Sequence, residues 1–457
     1  MNEVTETTPV YFSSIKLRNI KCFGEEQILD LKDQNGNLSQ WTLILGNNGL
    51  GKTTLLKCIV WSTPVEETDL LRRAKAGLNE DDKRLTIKPA LDGLEDDSQY
   101  EKMVRLGQNV IGEVSAELSV GTPFGEKPDD NSLLSFSEVI ENRNGELHTV
   151  EPVLMAVNKF YAPNIYAYNA SRHMELKNAD ASALNDPTYN LFSDSGELFD
   201  ATEQLLSQDH AALQERGIGK ETELLKQIKE LLVKLLPGLK STDDILISAK
   251  QKEVRLRTDD GEVPLNSLSL GYKTMVAWTV DLALKMLARN PRSDDPLREP
   301  AVVIIDEIDL HLHPTWQRIV QQTLTDTFPN TQFICTAHSP FMAQSSENEN
   351  LCVLERKGKE VHIDNTPFIV KGWRIGQIIT SDLFGVDSER SPEFEALIDE
   401  RRLLLDKDVK TNGDSLRIKE LDQLLAEMPM AEKHDDQALL DQLRKTAEFL
   451  KTEGKLK

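Results

Sequence analysis

Apolar and polar residues alternate over residues 11–20 and, more weakly, over 26–31, the two-residue period of strands with one buried face. Trp41–Leu45 is instead a continuous apolar run, the pattern of a strand covered on both faces in a parallel sheet. The turn chemistry of Asp33-Gln34-Asn35-Gly36 separates the second segment from the third, and a helix pattern starts at Lys52. Residues 62–108 are charged and without period, which predicts an inserted, partly helical lobe or a loop. Alternation returns at 110–120 and 133–140, and 161–169 reads as another buried strand. Leu198, Leu205 and Leu206, then Leu224, Leu225, Ile228, Leu231, Leu232 and Leu235, fall at helical spacing. They predict a helical arm of roughly 40 residues, ended by Pro237-Gly238. Short strands at 245–247 and 253–257 precede a helix over 271–288, the apolar strand Ala301–Ile305, a helix over 314–325, a strand at 332–335 and a strand pair within 351–363. From Gly372 onward the pattern is helical and charged, with a break over 406–413. The apolar stripe within 415–451 suits either a core face or an interface.

Composition narrows the classes. No apolar run approaches the ~18 residues of a membrane span, and the acidic, polar N-terminus is unlike a signal or transit peptide. The four cysteines (Cys22, Cys58, Cys335, Cys352) stand alone, a pattern that suits a reducing cytoplasm better than a disulfide scaffold or a zinc module. A net charge of −23 argues against a chain whose whole surface grips nucleic acid, while leaving contact through a complex open.

Chemistry concentrates in two places. Gly46-Asn47-Asn48-Gly49-Leu50-Gly51-Lys52-Thr53, followed by Thr54, has the spacing G-x-x-x-x-G-K-[ST] directly between a buried strand and a helix. Glycines let such a loop turn its N–H groups toward phosphate oxygens, and the helix N-terminus adds partial positive charge. Lys52 is then expected on the β- and γ-phosphates of ATP and the Thr53 hydroxyl on Mg²⁺. The second place is the end of Ala301–Ile305, where Asp306 and Glu307 follow four aliphatic residues. A parallel strand delivers its C-terminal end to a ligand crevice. Asp306 is expected in the Mg²⁺ shell, with Glu307 orienting or deprotonating the attacking water.

Leu268-Ser269-Leu270-Gly271-Tyr272, ahead of Asp306 and opening a helix pattern, resembles the signature of ABC-type ATPases, with Leu270 and Tyr272 as departures. In that family the serine and glycine contact ATP held by a second protomer; within one chain the same residues also suit a helix N-cap. Residues 306–314, with Asp309 and the pair His311 and His313, resemble the D-loop run of ABC-like AAA proteins. Asp309 would then lie at a seam between chains, and the two histidines lack a third ligand at metal spacing. Thr336-Ala337-His338-Ser339-Pro340 resembles the switch segment, making His338 a sensor of the γ-phosphate. Leu17-Arg18-Asn19-Ile20-Lys21-Cys22-Phe23 resembles the first strand of RecF-like heads. Tyr168-Asn169-Ala170-Ser171-Arg172 resembles the segment near their Q-loop, with Arg172 either near nucleotide or partner or in a surface turn.

The chain therefore resembles ABC-type AAA ATPases of the SMC/RecF-like branch, and within it the ATPase subunits of Septu-type and retron-associated anti-phage systems. That resemblance implies an α/β, P-loop ABC-type head, a mixed sheet with flanking helices, carrying an inserted helical arm and a C-terminal helical region. It divides the chain into the start of the head (1–61), an inserted lobe (62–109), a strand-rich part (110–195), the arm (196–240), the rest of the head (241–371) and the helical region (372–457). It further implies ATP and Mg²⁺, a homodimer or higher homo-oligomer with ATP at the seam, and an HNH nuclease or other effector as partner, without a membrane. A RecF-like DNA repair ATPase and an ATP-gated scaffold with little turnover are the alternatives.

Overall fold

The computed structural model of the protein describes residues 8–63, 111–143, 146–150, 162–174 and, with short gaps, 187–427, together with short strands at 65–66 and 85–86. Most of the expected inserted lobe, and the apolar stripe beyond 427, lie outside the described residues. The chain forms two compact units, Met1–Gly385 and Val386–Lys457.

The first unit opens with β1 (Val10–Arg18), β2 (Gln27–Asp30), β3 (Trp41–Leu45) and helix α1 (Lys52–Trp61). β4 (Ile111–Val120), β5 (Leu133–Arg143), β6 (Glu146–Val150) and β7 (Ile165–Tyr168) follow. Next come α2 (Ala201–Gln214), α3 (Lys220–Leu235), strands β8 (Ile245–Ser248), β9 (Glu253–Thr258) and β10 (Gly261–Pro264), and the long α4 (Leu270–Arg289). β11 (Ala301–Ile305), α5 (Pro314–Gln317), α6 (Val320–Thr327), β12 (Thr331–Ala337), β13 (Asn350–Lys357) and β14 (Glu360–Asp364) complete its longer elements. The second unit contains α7 (Pro392–Leu405) and α8 (Asn412–Glu427).

The architecture is mixed α/β, as expected. β2-β1-β4-β5-β6 form an antiparallel sheet, and β14-β13-β3-β12-β11-β7 a second sheet in which every neighbour from β13 to β7 is parallel. Strands β3, β7, β11 and β12 are buried along their length, and alternation decides which core each side chain joins. Leu43, Tyr168, Ile305 and Phe333 pack with α2, α3 and α4 on one face. Ile44, Ala167, Ile304 and Ile334 pack with α1 and β1 on the other. Helix α1 thus lies on the opposite face of the sheet from α4. Each such aliphatic side chain contributes about 1.5–3 kcal/mol by leaving water. The two sheets are stitched by a polar residue. Gln332 on β12 is fully buried, accepts from the N–H of Phe12 (2.9 Å) and donates to its carbonyl (2.8 Å). It reaches β1 where the ladder to β4 shifts register between Phe12 and Ser14.

Two expectations need correction. The 40-residue arm is two separate helices, α2 and α3, and its leucines are core: Leu205, Leu224, Ile228, Leu231, Leu232 and Leu235 are buried in the cluster that includes Trp278 of α4. Helical spacing reveals an apolar stripe but not what covers it. The helix expected over 314–325 is broken into α5 and α6 around Arg318 and Ile319.

Candidate functional site

Because β3, β11, β12 and β7 run parallel, their C-terminal ends open on one edge of the sheet, with Leu45 opposite Ala337, and Ile305 opposite both Cys335 and Tyr168. The loop leaving β3 enters α1 through Gly51 at φ 87, where an added Cβ would lie 2.5 Å from Cys22 Sγ. Gly46 (φ 150) is constrained too, though less tightly, since a Cβ there would meet the Leu354 carbonyl at 3.0 Å. Asn47, Asn48 and Gly49 are exposed at the loop tip, while Leu50 and Thr54 are buried and anchor it. Lys52 is 6% exposed and curls over its own loop, donating to the carbonyls of Gly46 (2.8 Å) and Asn47 (3.2 Å). Burial pulls its ammonium below the ordinary lysine value, and Asp306, Glu307 and Asp309 oppose that pull.

The acidic pair sits against this loop. The Thr53 hydroxyl donates to Asp306 Oδ2 (2.5 Å), and the Thr336 hydroxyl donates to Oδ1 (2.6 Å). Thr336 Oγ1 also accepts the N–H of Glu307 (2.7 Å), so one side chain from β12 braces both acids. Glu307 has φ 47, a left-handed conformation that costs a side-chain-bearing residue about 1–2 kcal/mol. Its Oε1 lies 3.7 Å from His338 Nε2, a buried atom without a hydrogen-bond partner among the described residues.

Asp309, expected at a seam between chains, is 8% exposed within the single chain, and its Oδ2 accepts the N–H of His338 (3.0 Å). Burial raises its carboxyl above the usual range. Gln317 holds the same turn, donating to the Asp309 and Leu312 carbonyls (3.3 and 3.0 Å) and accepting from the Ser339 hydroxyl (2.5 Å). Arg172 does not occupy a surface turn. It is 2% exposed and donates to the main-chain oxygens of Asn169 (2.8 Å), Asp306 and Glu307 (3.0 Å).

The residues at the start of α4 stand differently. Ser269 is exposed and occupies the N-cap position without a side-chain cap hydrogen bond, and Leu270 is 51% exposed. Gly271 is buried against the His311 carbonyl, and a Cβ would overlap that oxygen. The glycine thus has a packing reason within one chain. His311 and His313 are exposed, and the His313 ring accepts from the Thr315 N–H (3.3 Å) as a helix cap. Among the described residues no group of three or more His, Cys, Asp or Glu is placed to hold a metal. The donor set at Thr53 and Asp306 suits Mg²⁺ instead, a hard cation bound through few protein oxygens and completed by phosphate and water.

Sequence reasoning brought together residues 46–54, 306–309 and His338, and missed Thr336, Gln317 and the burial of Arg172. Thr336 stands in the quoted switch segment, but its bridging role follows from the parallel register of β11 and β12. No local pattern marks the other two.

Among relatives, the chain is 25% identical over 390 residues to "Retron Vc95 probable ATPase" of Vibrio cholerae, covering 75% of this chain and 74% of that protein. It is 30% identical over 187 residues to "Septu protein PtuA" of Bacillus mycoides, covering 40% of this chain but only 26% of the relative. Among solved structures, the SMC head domain from Thermotoga maritima superposes with a TM-score of 0.38 at 14% identity, over 78% of this chain and 99% of that one. Residues 42–342, well over half of the sequence and the span holding both the glycine-rich loop and the acidic pair, match the family described as "AAA domain, putative AbiEii toxin, Type IV TA system", and the chain belongs to that family.

Proposed function

We propose that the protein is an ATPase whose nucleotide-dependent dimerisation licenses a partner nuclease or other effector in anti-phage defence. The observation that carries the catalytic part is the 2.5 Å hydrogen bond between Thr53 and Asp306, which joins the phosphate-binding loop to the acidic pair in one site. The N–H groups of residues 46–54 bind the phosphates, and Lys52 leaves its two loop carbonyls to meet the β- and γ-phosphate oxygens. Thr53 and Asp306 hold Mg²⁺, which when bound screens the phosphate charge. Glu307 orients water for in-line attack and accepts its proton, and the orphaned Nε2 of His338 beside it reports the γ-phosphate by hydrogen bond.

Ser269, exposed and not engaged in capping, supplies the contact to ATP held by a second copy. Asp309 acts within its own chain, tying the turn after the acids to the switch segment. Bound ATP favours the closed dimer by contacts that hydrolysis removes. The similarity to retron and Septu proteins supports the defence setting, and a net charge of −23 supports a protein partner over direct grip on nucleic acid. The test is ATP turnover by the wild type and Glu307→Gln, alone and with DNA. Turnover that falls about 10²–10³-fold in the variant supports the reading. Equal inertness leaves a scaffold, and strong stimulation by DNA of the isolated chain favours a repair ATPase.

A further inference from the structure

A buried guanidinium is ordinarily matched by a carboxylate side chain, because an uncompensated cation in a low-dielectric interior is costly. Arg172, 2% exposed, departs from this. Among the described residues its hydrogen bonds all end on main-chain oxygens, and its Nε has no partner. Desolvation pulls it down to about 10, with Asp306 the foremost charge opposing that, so it remains a cation at neutral pH.

The oxygens it selects are informative. The Asp306 carbonyl belongs to the peptide entering Glu307, and the Glu307 carbonyl to the peptide leaving it. The planar fork of one guanidinium therefore fixes the peptide planes on both sides of the residue held at φ 47. The segment that presents Arg172 is itself anchored. The Tyr168 carbonyl accepts the N–H of Asp306 (2.9 Å). Its hydroxyl donates to Asp281 Oδ2 (2.8 Å), an oxygen that also meets Lys285 Nζ at 2.9 Å. Asp281 and Lys285 lie on α4, the helix that opens with Ser269 and Gly271.

We infer that Arg172 is a positioning residue for hydrolysis, holding the backbone around Glu307 so that its carboxylate stands beside His338, without touching nucleotide. This rests on Glu307 acting as the base. Lysine cannot replace it, since a single ammonium presents its donors from one point and cannot span three carbonyls in a fixed plane.

Arg172→Lys tests this through two readouts, affinity for a non-hydrolysable ATP analogue and the kcat and KM for ATP. The expected result is analogue affinity within about threefold of wild type and kcat lower by on the order of tenfold to a hundredfold. Unchanged kcat, or equal loss of analogue affinity and turnover, overturns it. If the lysine variant does not fold, Arg172→Gln in the same assays decides, by the same criteria. Glu307→Gln separates the failures: a fully active Glu307→Gln ends the catalytic reading and this inference together. An inactive Glu307→Gln beside a fully active Arg172→Lys ends this inference alone.

Discussion

The candidate site of the first unit and the helices of the second treat charge in opposite ways. In the first, Lys52, Arg172, Asp306 and Asp309 are all at most 8% exposed and tied to backbone or hydroxyl groups. In the second, Arg417 forks onto Glu400 (2.8 and 3.0 Å) and Arg401 meets Asp422 (2.6 Å), pairs that remain open to solvent. Leu403 and Leu416 are 71% and 62% exposed there, and Leu421 is fully buried. Buried charge is tolerated where most of its donors and acceptors meet fixed partners; exposed pairs are screened by water and fix little. Over its described part the apolar stripe expected within 415–451 is mixed, with Leu416 and Leu424 exposed and Leu421 buried.

This contrast can be broken at several points. The largest effect is expected from Gly271→Ala, whose Cβ would overlap the His311 carbonyl. It should destabilise the protein by about 1–3 kcal/mol through displacement of the turn after the acids, and reduce turnover with it. A wild-type melting temperature for this variant would show that the turn yields freely. A smaller effect, with a defined sign, attaches to Asp309. Burial raises its carboxyl, so the folded state binds the proton more tightly than the unfolded chain. Its contribution to stability is complete below the ordinary carboxylate pKa and is lost as pH rises through the raised value. Asp309→Asn keeps an acceptor for the His338 N–H. Its Tm should match wild type near about pH 4 and exceed it at about pH 7; a gap that narrows with rising pH contradicts this. Least of all should follow from Arg417→Ala, which opens solvent-facing pairs in the second unit. ATP turnover should be unchanged and any shift in Tm too small to resolve, and a clear loss of turnover would mean that the two units are not separable in function.

Legibility in the sequence followed the reach of the interactions. Trp41–Leu45 and Ala301–Ile305 were readable to the residue, because each is an uninterrupted apolar run ending in an abrupt chemical change, a glycine in one case and an acid in the other. The positions of the two loops that follow were readable for the same reason. The stripe of α2 and α3 was readable as helix but not as core, since its cover, α4, lies far along the chain. The roles of Thr336 and Arg172 depend on contacts with Asp306, 30 and 134 residues away in sequence, and no local pattern encodes them.

The central claim is that the glycine-rich loop and the acidic pair form one Mg²⁺-dependent site. A double-mutant cycle of Thr53→Val and Asp306→Asn, read as Mg²⁺-stimulated ATP turnover, tests it most directly. The account predicts that each single variant loses most of the stimulation and that the double variant loses little more than the worse single. Losses that multiply independently would mean that the two residues serve separate sites.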